Sequence, residues 1–425
     1  MENLVERDAK VVWHPFTQMK LSPFSLPIRK AEGCMLYGEK DKVYIDAVSS
    51  WWVNVHGHGH PYIAKAIYDQ YLKIEHSIFA GFTHEPAVKL SEKLLSVAPE
   101  NMARVFFSDN GSTAVEVGIK MCLQYWFNHS NPKLCLIGLE DAYHGDTFGA
   151  MSVSGRGPFN APFESLLFDV EFIPAPVPGD EEKSKAALNA ILSRRNDVAA
   201  FIFEPLVMGA GGMKMYSPEI LDELMDICKE NEVLCIADEV MTGIGRTGKM
   251  FATQHLRNQP DVMTVSKGIT GGSMPLGLTL ASEAIYEAFL SDDKMKAFFH
   301  GHSYTGNPLA CAASIASLEL FEIENTFDKI EKINAKHQDF AKKLQSYSCV
   351  ENIRIQGTIV AFDLRSEENT SYFNSIRDQA YNYFIDQGVL LRPLGNVIYI
   401  LPPYSIDEPI LDQVYSTIFS FLDKV

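Results

Sequence analysis

Three things are scarce in these 425 residues, and each scarcity removes a class of function. Positive charge is the first: 37 Lys and Arg face 54 Asp and Glu, a formal net charge of −17. Such a chain repels polyphosphate and anionic lipid, so neither nucleic acid nor a membrane surface is an expected partner. Long apolar stretches are the second. No run of 18 or more uncharged apolar residues occurs, so a helical membrane span is not expected. Cysteine is the third. Cys34, Cys122, Cys135, Cys228, Cys235, Cys311 and Cys349 are odd in number, scattered and free of any C-x-x-C pair. They read as reduced, mostly buried thiols of a cytoplasmic protein. Met1–Asp8 is acidic and has no basic-then-apolar leader pattern. Low-complexity tracts, internal repeats and long polar linkers are missing too.

What is present is an α/β rhythm. Apolar runs at 104–108 (RVFFS), 134–139 (LCLIGL), 199–203 (AAFIF), 233–237 (VLCIA) and 261–266 (DVMTVS) read as strands. Helical patterns lie between them, at 112–127 and at 217–231, the latter opening on Ser217-Pro218-Glu219 as N-cap and first turn. Strands that are apolar throughout predict a mainly parallel sheet covered on both faces. Long helices follow at 305–345, and short strands and helices at 350–425. This pattern predicts a large α/β domain over 50–300. A smaller α+β domain is then built from 1–49 and 301–425.

Ligand groups in open α/β sheets sit just past the carboxyl ends of strands. Asp238-Glu239 follows VLCIA, Lys267 follows DVMTVS, and Gly111-Ser112-Thr113 follows RVFFSDN and opens a helix. Each has an ordinary structural reading, as cap, solvated lysine or turn. Together they supply the parts of a pyridoxal-phosphate site. A helix N-terminus can hold a phosphate, a lysine can bind an aldehyde, and a carboxylate can keep a pyridinium nitrogen protonated.

The stretches AYHGDTFGAMSVSG (142–155), FEPLVMGAGGM (203–213), IADEVMTGIGRTGKMFA (236–252), SKGITGG (266–272) and TGNPLACAA (305–313) occur in that order along the chain. With them the sequence resembles the class III aminotransferases of pyridoxal-phosphate fold type I. WHPFTQM (13–19), SSWWVNVHGHGHP (49–61) and LRPLGNVIYILPPY (391–404) are similar to one branch of that family. That branch aminates 8-amino-7-oxononanoate to 7,8-diaminononanoate in biotin synthesis, with S-adenosylmethionine as donor.

The resemblance implies a homodimer with shared active sites, pyridoxal 5'-phosphate as cofactor, and roles for individual residues. Lys267 matches the Schiff-base lysine, a base and then an acid. Asp238 matches the pyridinium partner, Gly111 and Ser112 the phosphate turn, and Tyr143 the aromatic residue over the ring. His302 and Ser303 match the positions that reach the phosphate from the neighbouring subunit, with Gly301 at the substrate. Arg392 matches the arginine for the acceptor carboxylate, a bidentate task. Trp51, Trp52 and Tyr399 match the substrate wall, and Asp146 a carboxylate able to balance a cationic donor. Two departures stand out. Phe16 occupies a tyrosine's place, and His302-Ser303 replaces Pro-Thr. Both leave lysine open as an alternative donor, and other omega-aminotransferase activity as an alternative reaction.

Two further patterns point elsewhere. Gly243–Gly248 satisfies G-x-G-x-x-G, the mark of a dinucleotide-dependent oxidoreductase. No acidic residue ends a following strand about 20 residues on, as that reading requires. His56, His58 and His60 alternate as metal ligands would on a strand, but the intervening glycines and Pro61 favour a turn. No metal is expected. A catalytically silent protein of the same fold would have lost Lys267, which is present.

Overall fold

The computed structural model describes residues 3–22, 25–366 and 374–425. Near the chain start, strands β1 (Ile28–Glu32), β2 (Met35–Gly38) and β3 (Val43–Asp46) form an antiparallel ladder. The middle supplies β4 (Met102–Ser108), β5 (Cys135–Leu139), β6 (Val170–Ile173) and β7 (Val198–Phe203). A short pair follows, β8 (Val207–Met208) and β9 (Lys214–Met215), then β10 (Leu234–Asp238), β11 (Val262–Val265) and β12 (Gly277–Ser282). Toward the end lie β13 (Val350–Gln356), β14 (Ile359–Leu364), β15 (Val389–Leu390) and β16 (Val397–Ile400).

The central sheet has seven strands in the order β4-β12-β11-β10-β7-β5-β6. From β11 to β6 every pairing is parallel, while β12 runs antiparallel to both its neighbours. All five expected strands are present and the sheet is mainly parallel. Two members, β6 and β12, are not among the strand-like runs. Glu171 interrupts the edge strand β6, and β12 opens on glycine with Thr279 and Ser282 inside it. The antiparallel turn has a simple cause: only 266–276 separate β11 from β12, fewer than a parallel crossover needs.

Alternation along β7 shows why its sequence is unbroken in apolar residues. Phe201 and Phe203 join the core on one face, Ala200 and Ile202 the core on the other. The second face is covered by the helix Gly111–Asn128 through Val115 and Ile119. The first face belongs to one apolar core that takes in Ile45, Ile137, Phe362 and Ile418.

Both chain ends meet in a four-stranded sheet ordered β1-β2-β3-β15, where β3 and β15 run parallel with Asp46 beside Leu390. Strands β13, β14 and β16 form an antiparallel sheet of their own. Helix Pro308–Ile323, within the span 305–345 where long helices are expected, packs against helices Pro61–Tyr71 and Glu85–Val97.

Candidate active site

Five strands of the central sheet end on one cavity of about 770 Å³. After β4 come Asp109, Asn110, Gly111 and Ser112, and after β5 come Tyr143 and His144. Glu204 follows β7, Asp238 closes β10, and Ser266 and Lys267 follow β11. The second wall comes from the chain ends: Phe16, Ser50, Trp51, Trp52, Arg392 and Tyr399. The expected residues Gly111, Ser112, Tyr143, Asp146, Asp238, Lys267, Arg392, Trp51, Trp52, Phe16 and Tyr399 thus share one space. Gly301, His302 and Ser303 do not line it. They lie in a segment where Gly301 and Ser303 are exposed and Thr305 Oγ1 accepts from the His302 N–H at 3.0 Å.

Asp238 is buried and its carboxyl group is held from three sides. Its Oδ1 accepts from the Val240 N–H (3.0 Å) and the Thr264 hydroxyl (3.2 Å), and its Oδ2 lies 2.6 Å from His144 Nδ1. Lys267 follows directly from the neighbouring parallel strand, with φ of 45°, a left-handed backbone that costs free energy in a lysine. Its Nζ rests 5.0 Å from the Trp52 ring centroid. Burial pushes the amine's pKa down, against the opposing charges of Asp238 and Glu204. Glu204 is buried beside both. Burial pushes its carboxyl up to about 7, despite N–H donors from Tyr143 (3.1 Å) and Gly209 (2.9 Å).

The helix Gly111–Asn128 begins at the cavity. Asn110 caps it, its side chain accepting from the Thr113 N–H at 3.0 Å. Gly111 is required on steric grounds: a Cβ there would stand 2.7 Å from Val240 Cγ1. The Ser112 hydroxyl lies 2.8 Å from that of Thr147 and accepts from the Thr147 N–H. Tyr143 donates its hydroxyl to Asp146 at 2.9 Å; burial and that carboxylate both push its pKa up.

On the opposite wall the Arg392 guanidinium lies over the Trp51 ring, 4.5 Å from its centroid. Phe16 packs on Trp51 at 5.6 Å and on Phe159 at 6.1 Å. The indole N–H of Trp52 donates to the Tyr399 hydroxyl at 3.0 Å. The wall is therefore aromatic, with the Arg392 guanidinium stacked on it.

His144 and Glu204 are two titratable residues of the cavity that the sequence reading passed over. Glu204 ends a strand as Asp238 does, so the same strand-end criterion would have found it. His144 stands in the quoted run beside Tyr143, but its partner is 94 residues away. The G-x-G-x-x-G segment is not a phosphate loop. Arg246 within it is fully buried and donates to the Pro402 carbonyl at 2.7 Å, tying that turn to the far end of the chain. His56, His58 and His60 separate onto Ser317, Asp46 and Glu324. Among the described residues no group of three or more His, Cys, Asp or Glu could hold a metal ion.

A family model described as Aminotransferase class-III matches residues 17–422. The adenosylmethionine-8-amino-7-oxononanoate aminotransferase of Synechococcus elongatus is 47% identical over 421 residues, spanning 97% of this chain and 99% of that protein. The crystal structure of the enzyme of the same name from Methanocaldococcus jannaschii superposes with a TM-score of 0.92 at 35% identity, over 98% of each chain. The omega transaminase from Pseudomonas jessenii, solved in complex with PMP, gives a TM-score of 0.94 at 26% identity. That match covers 100% of this chain and 98% of the other.

Proposed function

The chain belongs to the class III aminotransferases, and from that premise we propose that it moves an amino group from S-adenosylmethionine to 8-amino-7-oxononanoate. The product is 7,8-diaminononanoate, a step in biotin synthesis, with pyridoxal 5'-phosphate as cofactor. One observation carries this reading. Lys267, Asp238 and the Gly111-Ser112 helix start, spread over 157 positions, line one cavity together with Arg392.

The residues fit the cofactor. The helix start offers N–H groups and a hydroxyl to a phosphate, and Gly111 lets it approach Val240, whose Cγ1 a Cβ would meet at 2.7 Å. Asp238, fixed in place by its donors, suits a protonated ring nitrogen. When bound, the cofactor supplies an aldehyde for amino groups and a ring that delocalises electrons. The chain's own residues do the rest. Lys267 Nζ, its basicity lowered by burial, can carry a proton on and off the substrate carbon that bears the amino group. His144 orients Asp238. Arg392 pairs with the acceptor carboxylate, and Trp51 and Trp52 exclude water along its aliphatic chain.

The reading extends to a homodimer in which Gly301, His302 and Ser303 serve the partner's site, to domains over 50–300 and over 1–49 with 301–425, and to a cytoplasmic enzyme. No helix among the described residues is long and apolar enough to cross a membrane. Phe16 offers an apolar ring where the branch has a hydroxyl, so the donor needs its own test. Purified protein should be yellow, with a visible band that shifts on adding an amino donor. Product formation from 8-amino-7-oxononanoate is then compared with S-adenosylmethionine and with lysine. A colourless protein indifferent to added pyridoxal phosphate would sink the proposal; turnover with lysine alone would replace the donor.

A further inference from the structure

The Trp51–Trp52 wall stands on a turn whose backbone is held from outside the cavity. Ser49, Ser50 and Trp52 have φ of 50°, 59° and 65°, three non-glycine residues in the left-handed region within four positions. Side chains avoid that region because Cβ crowds the backbone carbonyl, so such a turn persists only where its surroundings over-determine it.

The Ser49 hydroxyl donates to the Leu401 carbonyl at 2.8 Å, and one carboxylate takes the turn's other polar groups. Asp46, the last residue of β3, is wholly buried. Its Oδ1 accepts from the N–H groups of Val48 (3.2 Å) and Ser50 (2.8 Å). Its Oδ2 accepts from the Ser50 hydroxyl (3.0 Å) and lies 2.9 Å from His58 Nε2. The other imidazole nitrogen lies 3.1 Å from Asn54 Nδ2, so the ring bridges that amide and the carboxylate. Topology links this network to Arg392. Asp46 lies beside Leu390 at the end of the parallel pair β3 and β15, and the chain reaches Arg392 two residues later. Trp51 and Arg392 therefore leave adjacent strand ends, and they meet at 4.5 Å.

We propose that Asp46 is a positioning residue for carboxylate recognition: it locks the 48–54 turn so that Trp51 forms the shelf under the Arg392 guanidinium. The inference rests on the reading that Arg392 pairs with the acceptor carboxylate. Asp46 touches no substrate itself; it acts through the turn.

The test uses the holoenzyme and its variants Asp46→Ala, Asp46→Asn and His58→Gln. Asp46→Ala should raise the KM for 8-amino-7-oxononanoate about tenfold, the loss expected when a charge-assisted bond is misaligned. Its kcat should fall less than the KM rises and the visible band of bound cofactor should persist, since Lys267 and Asp238 stand on the central sheet and only Trp52 of the turn reaches the amine. Asp46→Asn keeps one acceptor and should fall between. His58→Gln keeps a donor and should stay near wild type. Combined with Arg392→Ala, Asp46→Ala should add nothing to the KM, because both act on one contact. Near-UV circular dichroism from the tryptophan pair should change in Asp46→Ala without any substrate. Additive costs in the double variant, or an unchanged KM and spectrum in folded Asp46→Ala, would overturn the proposal. If Asp46→Ala does not fold, Asp46→Asn and His58→Gln decide it by the same measurements. If wild-type enzyme ignores 8-amino-7-oxononanoate, the functional reading fails, and the dichroism alone judges the role of Asp46.

Discussion

Lys267 joins two influences that work against each other: burial beside Trp52, which disfavours a cation, and the carboxylates Asp238 and Glu204, which favour one. Burial is the stronger influence on its pKa, and a base of reduced basicity results. Lys267→Ala should lower turnover by about 10³-fold or more, the range of general acid–base contributions, in an assay of product formation. Arg392→Ala should raise the acceptor KM by roughly 10- to 100-fold, the worth of a charged hydrogen-bonded pair, and leave the donor KM within about twofold. Arg392→Lys should recover only part of this, because an ammonium cannot bind a carboxylate bidentately. Glu204 makes a pH prediction. Its pKa rises on folding, from the ordinary carboxylate value to about 7. Between those values the folded chain holds a proton that the unfolded chain has released, so stability falls as pH rises through the window. Glu204→Gln removes this term. Its Tm relative to wild type should improve steadily from about pH 5 to pH 8, as thermal melts across that range would show.

At the scale of elements, the site is made by where secondary structure stops. Helix Gly111–Asn128 presents its first turn to the cavity because Asn110 caps it and Gly111 lets it approach Val240. Asn110→Ala should cost about 1 kcal/mol of stability, read as a Tm lower by a few degrees, and should weaken retention of the cofactor on dialysis. The expected helices at 112–127 and 217–231 and the five apolar strands are all in place, since a two-sided core forces an unbroken apolar signal into the sequence. Strand β12 escaped that signal. Its Thr279 is buried because its hydroxyl bonds the Ala114 carbonyl at 2.8 Å, a partner 165 residues away that no local pattern announces.

For the whole molecule, the net charge of −17 describes the solvated surface and says nothing of the site, where Lys267, Arg392 and a helix start converge. The position of Gly301, His302 and Ser303 outside the cavity of their own chain bears on assembly. In the proposed homodimer, mixing Lys267→Ala with Ser303→Asp, each inactive alone, should restore up to about a quarter of wild-type activity. Half the random dimers are then hybrids with one intact site of two. Failure to complement, with dimers confirmed by sedimentation, would remove those residues from a shared site.

By itself the sequence determined the fold class, the places of five strands and the candidate groups that follow them, Lys267, Asp238 and Gly111-Ser112. Each of these is local: periodicity sets a strand, and position after a strand sets a ligand group. Tertiary structure alone decided what those groups lean on. His144 on Asp238, Asp46 under the Trp51 turn, Thr279 on Ala114 and Arg246 on Pro402 are contacts between segments far apart in sequence. They exist because close packing brings such segments together, and a buried polar group must then find a partner wherever the fold places one.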